Sequence, residues 1–194
     1  MKYILGITGQ TGAGKSTLHS VAEEKGFYVI DCDKVAHSVL DQNEQLKAAL
    51  HKAFGDVLTD NKIDRKKLAA KAFSTKENTE LLNKTTLPFI TNEINSIIER
   101  AESEYIMLDA PTLYESGADK LCSFVVALLA GEEIRKARII ERDNITEEAA
   151  ELRLSAAKKD EFYISRANKV IYNNGSIEEY KQSFKAILEE ITEE

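Results

Sequence analysis

The segment "YILGITGQTGAGKST", residues 3–17, constrains the fold more than anything else in the chain. Tyr3 to Thr8 are apolar and β-prone, the pattern of a short buried strand. Beyond the turn, "TLHSVAEEKG" carries Leu18, Val21 and Ala22 at helical spacing and stops at Gly26, a residue suited to a helix C-cap. Gly9, Gly14, Lys15 and Ser16 fit G-x-x-x-x-G-K-[ST] without a gap, between a strand and a helix N-terminus. Such a loop binds phosphate. Its glycines let successive backbone N–H groups turn inward, and the helix terminus adds partial positive charge. Lys15 suits the β- and γ-phosphates, and the Ser16 hydroxyl suits Mg²⁺. The dinucleotide fingerprint G-x-G-x-x-G cannot be placed here and would leave the lysine idle.

Further apolar runs read as buried strands: "FYVID" (27–31), "YIMLD" (105–109), "FVVALLA" (124–130) and "KVIYN" (169–173). Helical patterns between them predict an α/β fold, a three-layer P-loop arrangement with a parallel five-stranded sheet flanked by helices. The spacing is uneven. Residues 35–103 hold no convincing strand, far more chain than one crossover needs, so they read as a helical insertion suited to an acceptor. Ser74 and Glu77 are spaced as a capping box for the last helix of that insertion, and Pro88 should kink it. Residues 132–167 form a second helical excursion, a candidate lid, with Thr146 opening one of its helices. The core then comprises residues 1–34, 104–131 and 168–194. Ser176 and Glu179 cap a final helix whose Tyr180, Phe184, Ile187, Leu188 and Ile191 form one apolar stripe.

Phosphoryl transfer asks for positioning, charge neutralisation and sometimes a base for the incoming hydroxyl. Carboxylates at the C-terminal ends of parallel strands are placed for this. In "VIDCDKVAH", Asp33 reads equally as that base or as the N-cap of a helix starting at Lys34. In "IMLDAPTLYE", Asp109 reads as a carboxylate of the Mg²⁺ water shell or as a turn residue before Pro111. The excursion's arginines, Arg142 foremost, read as phosphate clamps or as a solvated, salt-bridged face. His19, His37 and His51 have no metal-ligand spacing and suggest core or surface roles.

The net charge of −7, with no basic stripe, argues against a general nucleic-acid surface. Cys32 and Cys122 lack metal spacing and are expected to stay reduced. No signal peptide or membrane-length apolar run is present, so the expectation is a cytoplasmic enzyme with a small-molecule substrate, monomeric or a small homo-oligomer, with no membrane or nucleic-acid partner.

The segments "GITGQTGAGKST", "VIDCDKVAH", "KIDRKKLAAKAF", "LNKTTLPFI", "LDAPTLYESG", "RIIERDNITEEAAELRL" and "NKVIYNNGSIEE" occur in an order that resembles the dephospho-coenzyme A kinase family. The resemblance implies transfer of the γ-phosphoryl of ATP to the 3′-hydroxyl of dephospho-CoA, with Mg²⁺. It makes Asp33 the general base, with Lys15 and Arg142 also catalytic. It implies that Gly12, Ala13, Gly14, Lys15, Ser16 and Thr17 cradle ATP, with Asn173 and Asn174 near its adenine. Ser16 would face Mg²⁺, with Asp109 acting through water. Thr8, Asp33, Arg65 and Leu113 would serve the acceptor. The chain departs from the family pattern at Leu87, where histidine is usual, at Thr112, and at Ala157, where glutamine is typical. Two rivals are another small-molecule P-loop kinase and a GTP-binding switch. The switch's Asn-Lys-x-Asp lettering occurs at Asn61–Asp64, although it leads into a helix of the insertion instead of ending a late strand.

Overall fold

The computed structural model describes residues 2–193. The first strand, β1 (Tyr3–Gly9), runs into the glycine-rich turn, a short 3-10 turn (Lys15–Leu18) and α1 (His19–Glu24). Then follow β2 (Tyr28–Asp31), α2 (Cys32–Gln42), α3 (Glu44–Phe54), the two-residue strands β3 (Leu58–Thr59) and β4 (Lys62–Ile63), α4 (Arg65–Ala72) and α5 (Lys76–Arg100). The chain continues through β5 (Tyr105–Asp109), α6 (Leu113–Ser116), β6 (Phe124–Leu129), α7 (Glu132–Asp143), α8 (Glu147–Ser155), α9 (Asp160–Ile164), β7 (Lys169–Tyr172) and α10 (Ile177–Glu193).

The predicted five-stranded parallel sheet is present, in the order β2-β5-β1-β6-β7. Tyr3 of β1 pairs with Tyr105, and Leu5 with Phe124, so β1 lies centrally and its C-terminal end opens between two neighbours. Successive side chains of β6 serve opposite faces, as the strand period of two requires. Val126 and Leu128 join a core with Leu5, Ile7, Phe184 and Leu188, whereas Ala127 and Leu129 pack with Tyr163 of α9. Both faces are therefore covered, which explains why these strands read as continuous apolar runs. The α10 stripe is buried as its spacing predicts, and Ser176 and Glu179 cap it reciprocally through side chain and backbone.

The chain divides into two compact units, Asp31–Ala101 and the remainder. In the first, Leu46, Leu50, Val57, Ile63, Leu68 and Ala72 form a core of their own, with Leu82, Phe89 and Ile90 of α5 packed against it.

Three local expectations change. Asp31, and not Asp33, is the N-cap of α2, its Oδ1 accepting from Lys34 N–H at 3.0 Å, because the helix starts two residues earlier than the spacing suggested. The cap of α5 is Thr75, which accepts from Asn78 N–H at 3.1 Å, while the Ser74 hydroxyl is spent on Lys71 O. Residues 35–103, read as holding no convincing strand, carry the short antiparallel pair β3–β4, with Leu58 opposite Ile63. Helix α5 runs through Pro88 from Lys76 to Arg100, with Ile94 and Ile98 buried beyond the proline.

Candidate active site

The glycine-rich turn joins β1 to the first helical turn, and its carbonyls are held by groups from distant parts of the chain. Arg138 Nη1 donates to Gly12 O at 3.4 Å, Asn173 Nδ2 to Ala13 O at 2.9 Å, and the Tyr180 hydroxyl to Gly14 O at 3.2 Å. Lys15 Nζ donates to Gly9 O at 3.3 Å. A peptide unit whose oxygen is fixed on one side presents its neighbouring N–H groups on the other, which is how a nest for an anion is built. Asn173 is 6% exposed and also accepts from Arg138 through Oδ1, so the brace is itself braced. Burial pushes the Tyr180 phenol above its ordinary value and keeps it protonated as a donor.

Two glycines are required by this packing. Gly12 has φ +78° and a Cβ there would stand 2.9 Å from Arg135 O; Gly14 has φ +95° and its Cβ would stand 2.6 Å from Asn173 Nδ2. Ala13, by contrast, is fully buried. Ser16 is exposed at the start of the helical turn and Thr17 is half-buried.

Thr8 and Leu113 lie below this surface. Thr8 is fully buried and its hydroxyl donates to Pro111 O at 3.3 Å, while Leu113 is fully buried beside Gly6. Asp109 ends β5 in register with Ile7, and its Oδ2 lies 2.7 Å from His19 Nε2. Asn174 Oδ1 accepts from Gly131 N–H at 2.7 Å, joining the end of β7 to the start of α7.

In the excursion, α7 and α8 pack through Ile139, Ala150 and Leu154. Lys136 reaches Glu133, Glu147 and Glu151, and its hydrogen bonds to Glu147 and Glu133 raise its pKa. Arg142 grips Asp143 with Nε and Nη2 at 2.7 and 2.9 Å, and Arg153 reaches the same carboxylate. These hydrogen bonds hold the Asp143 carboxyl down to about 2. Two guanidinium groups are thus gathered at one point at the end of α7.

In the other unit, Asp33 is exposed in the first turn of α2, directly after β2. Arg65 opens α4, with Nη2 on both oxygens of Asp41 at 3.0 and 2.9 Å. The Asn61–Asp64 lettering serves local structure. Asn61 has φ +59° in the turn between β3 and β4, and Asp64 caps α4 by accepting from Lys66 and Lys67 N–H. Those bonds lower the Asp64 pKa and occupy the carboxylate that a guanine-reading motif would use.

Sequence reasoning took Arg138 only as one of the excursion's arginines, and it missed Tyr180 altogether as part of the loop's support. Arg138 stands one turn before Arg142, a spacing that puts both on one helix face. Nothing local marks Tyr180, which looks like one more apolar-stripe residue.

The dephospho-CoA kinase family model matches residues 3–179. The dephospho-CoA kinase of Fusobacterium nucleatum is 35% identical over 190 residues, covering 97% of this chain and 98% of that protein. A crystal structure from Thermus thermophilus superposes with TM-score 0.84 at 28% identity, over 97% of each chain. A dephospho-CoA kinase structure from Campylobacter jejuni gives TM-score 0.72 at 30% identity, over 100% of this chain and 98% of that one. With the family model spanning most of its length and a braced phosphate loop at its head, the chain belongs to the dephospho-CoA kinase family.

Proposed function

We propose that the protein transfers the γ-phosphoryl group of ATP to the 3′-hydroxyl of dephospho-CoA, giving CoA and ADP. The observation that carries this reading is the braced loop, whose carbonyls at Gly12, Ala13 and Gly14 are each held by a distant side chain, which leaves the Gly14 and Lys15 amides, partners of the Ala13 and Gly14 carbonyls, pre-oriented for a triphosphate. Side chains that hold a loop in its binding shape reduce the reorganisation that accompanies binding.

In the reaction, Asp33 accepts the proton of the 3′-hydroxyl as its oxygen bonds to the γ-phosphorus. The bond from that phosphorus to the β,γ-bridging oxygen breaks, and ADP leaves. Asp33 is exposed and spared from capping, since Asp31 does that work, so its carboxylate is available as a base. Lys15 neutralises charge on the transferring group. The exposed Ser16 hydroxyl and the Asp109 carboxylate are oxygen donors that suit Mg²⁺, Ser16 directly and Asp109 through water. Bound there, the ion would shield phosphate charge. Arg142 exchanges Asp143 for phosphate oxygens when the excursion closes, which its planar fork of donors fits. Gly12 to Thr17 line the triphosphate, and Asn173 and Asn174 border the nucleotide at the end of β7. For the acceptor, Arg65 supplies positive charge from α4, and Thr8 and Leu113 are further acceptor residues in this reading.

The test is mass analysis of products after incubation with ATP, Mg²⁺ and a panel of dephospho-CoA, nucleosides, nucleotides and sugar acids. Dephospho-CoA gaining one phosphoryl group at the highest rate supports the reading. Faster turnover of another acceptor overturns it in favour of a different small-molecule kinase.

A further inference from the structure

Gln10 follows β1 as the opening residue of the phosphate loop, and only 2% of it is exposed. Its N–H is anchored on Leu128 O at 3.2 Å. Its side chain crosses to the far excursion, where Nε2 donates to Asp160 Oδ1 at 2.8 Å and to Lys158 O at 3.4 Å. Asp160 begins α9, and Lys158 lies in the non-helical link between α8 and α9. Both partners only accept, which fixes the amide with its nitrogen toward them.

The amide oxygen is consequently turned away. Gln10 Oε1 is buried and has no hydrogen-bond partner among the described residues. Arg135 presents the complementary case: it is 6% exposed, its Nε donates to Ala130 O at 3.0 Å, and its buried Nη1 has no partner among the described residues. Gln10 N–H and Arg135 Nε–H are thus anchored on carbonyls two residues apart at the end of β6. A buried acceptor and a buried cationic donor, both unmet, are costly to leave so.

We propose that Gln10 is a positioning residue that reports occupancy of the phosphate loop to the α8–α9 link. When the loop amides engage a triphosphate, Arg135 Nη1 donates to Gln10 Oε1, and that new bond fixes the Gln10 amide and strengthens its existing hold on Asp160 and the link. The finished chain runs from the Asp160 carboxylate through the Gln10 amide to the Arg135 guanidinium, with each end a charge-assisted bond. This inference rests on the reading that the loop binds ATP.

The exposed Lys158 and Lys159 make the link a trypsin site. In the intact protein, a non-hydrolysable ATP analogue slows cleavage there about tenfold, the scale of one charge-assisted bond. Asp160→Ala and Gln10→Ala each cut that protection to about twofold or less, and the double variant behaves like either single one, as residues acting through one contact do. Asp160→Asn, whose Oδ1 still accepts, keeps the protection, an outcome that a general packing role would not give. Thermal melts establish that each variant is folded; should Gln10→Ala fail to fold, Asp160→Ala and Asp160→Asn alone decide. Protection that survives Asp160→Ala, or is lost equally in Asp160→Asn, overturns the proposal. Calorimetry separates the two readings. An analogue that fails to bind the unsubstituted protein sinks the ATP-loop reading, whereas binding without protection sinks only the role of Gln10.

Discussion

His19 Nε2 and Asp109 Oδ2 stand 2.7 Å apart, with side chains 20% and 10% exposed. The contact ties the first residue of α1 to the last residue of β5, so the helix that follows the phosphate loop is fixed to the strand-end carboxylate. His19 had no visible metal partner in the sequence, and its role is instead to hold Asp109. His19→Ala therefore leaves a buried carboxylate short of one donor and destabilises the fold by about 1–3 kcal/mol, measured by urea unfolding. It also raises the free Mg²⁺ needed for half-maximal turnover at fixed ATP. An unchanged Mg²⁺ dependence would remove Asp109 from the metal's surroundings.

Asn173→Ala removes the donor to Ala13 O and the acceptor for Arg138. The expected result is a KM for ATP raised about tenfold, equivalent to about 1.4 kcal/mol, with a smaller change in kcat. Steady-state kinetics with varied ATP checks it, and a KM unaltered within twofold counts against the brace.

Asp33→Asn keeps the shape and removes the basicity. Turnover should fall by about 100-fold or more while ATP affinity, read by calorimetry, stays near that of the parent. Lys15→Ala should abolish turnover through loss of the charge partner for phosphate. Near-normal turnover in Asp33→Asn would assign the proton transfer elsewhere.

The Asp143 carboxyl is held at about 2 by Arg142 and Arg153. A carboxylate depressed on folding adds stability above its unfolded pKa, about 3.9, and loses it as pH falls through the folded value near 2. The melting temperature of Asp143→Asn should lie below that of the parent at pH 7, and the gap should close between about pH 4 and pH 2. A gap that persists at pH 2 would show that packing, and not the ion pairs, is responsible.

The phosphate loop, the five strands of the parallel sheet and the α10 stripe were legible because each depends on local pattern: glycine positions, apolar runs and a 3.6-residue period. Caps were less legible, since Asp31 and Asp33, or Ser74 and Thr75, differ by geometry finer than composition records. The loop's support was not legible at all. Arg138, Asn173 and Tyr180 lie 126, 160 and 166 residues from the carbonyls they bind. Sequence by itself determined that a phosphate-binding turn joins a buried strand to a helix, because only certain residues tolerate that backbone and that charge. Which distant side chains hold the turn rigid was decided by the tertiary structure alone, because the sheet order that places β6 beside β1 and β7 beside β6 is a property of packing that no short stretch of chain encodes.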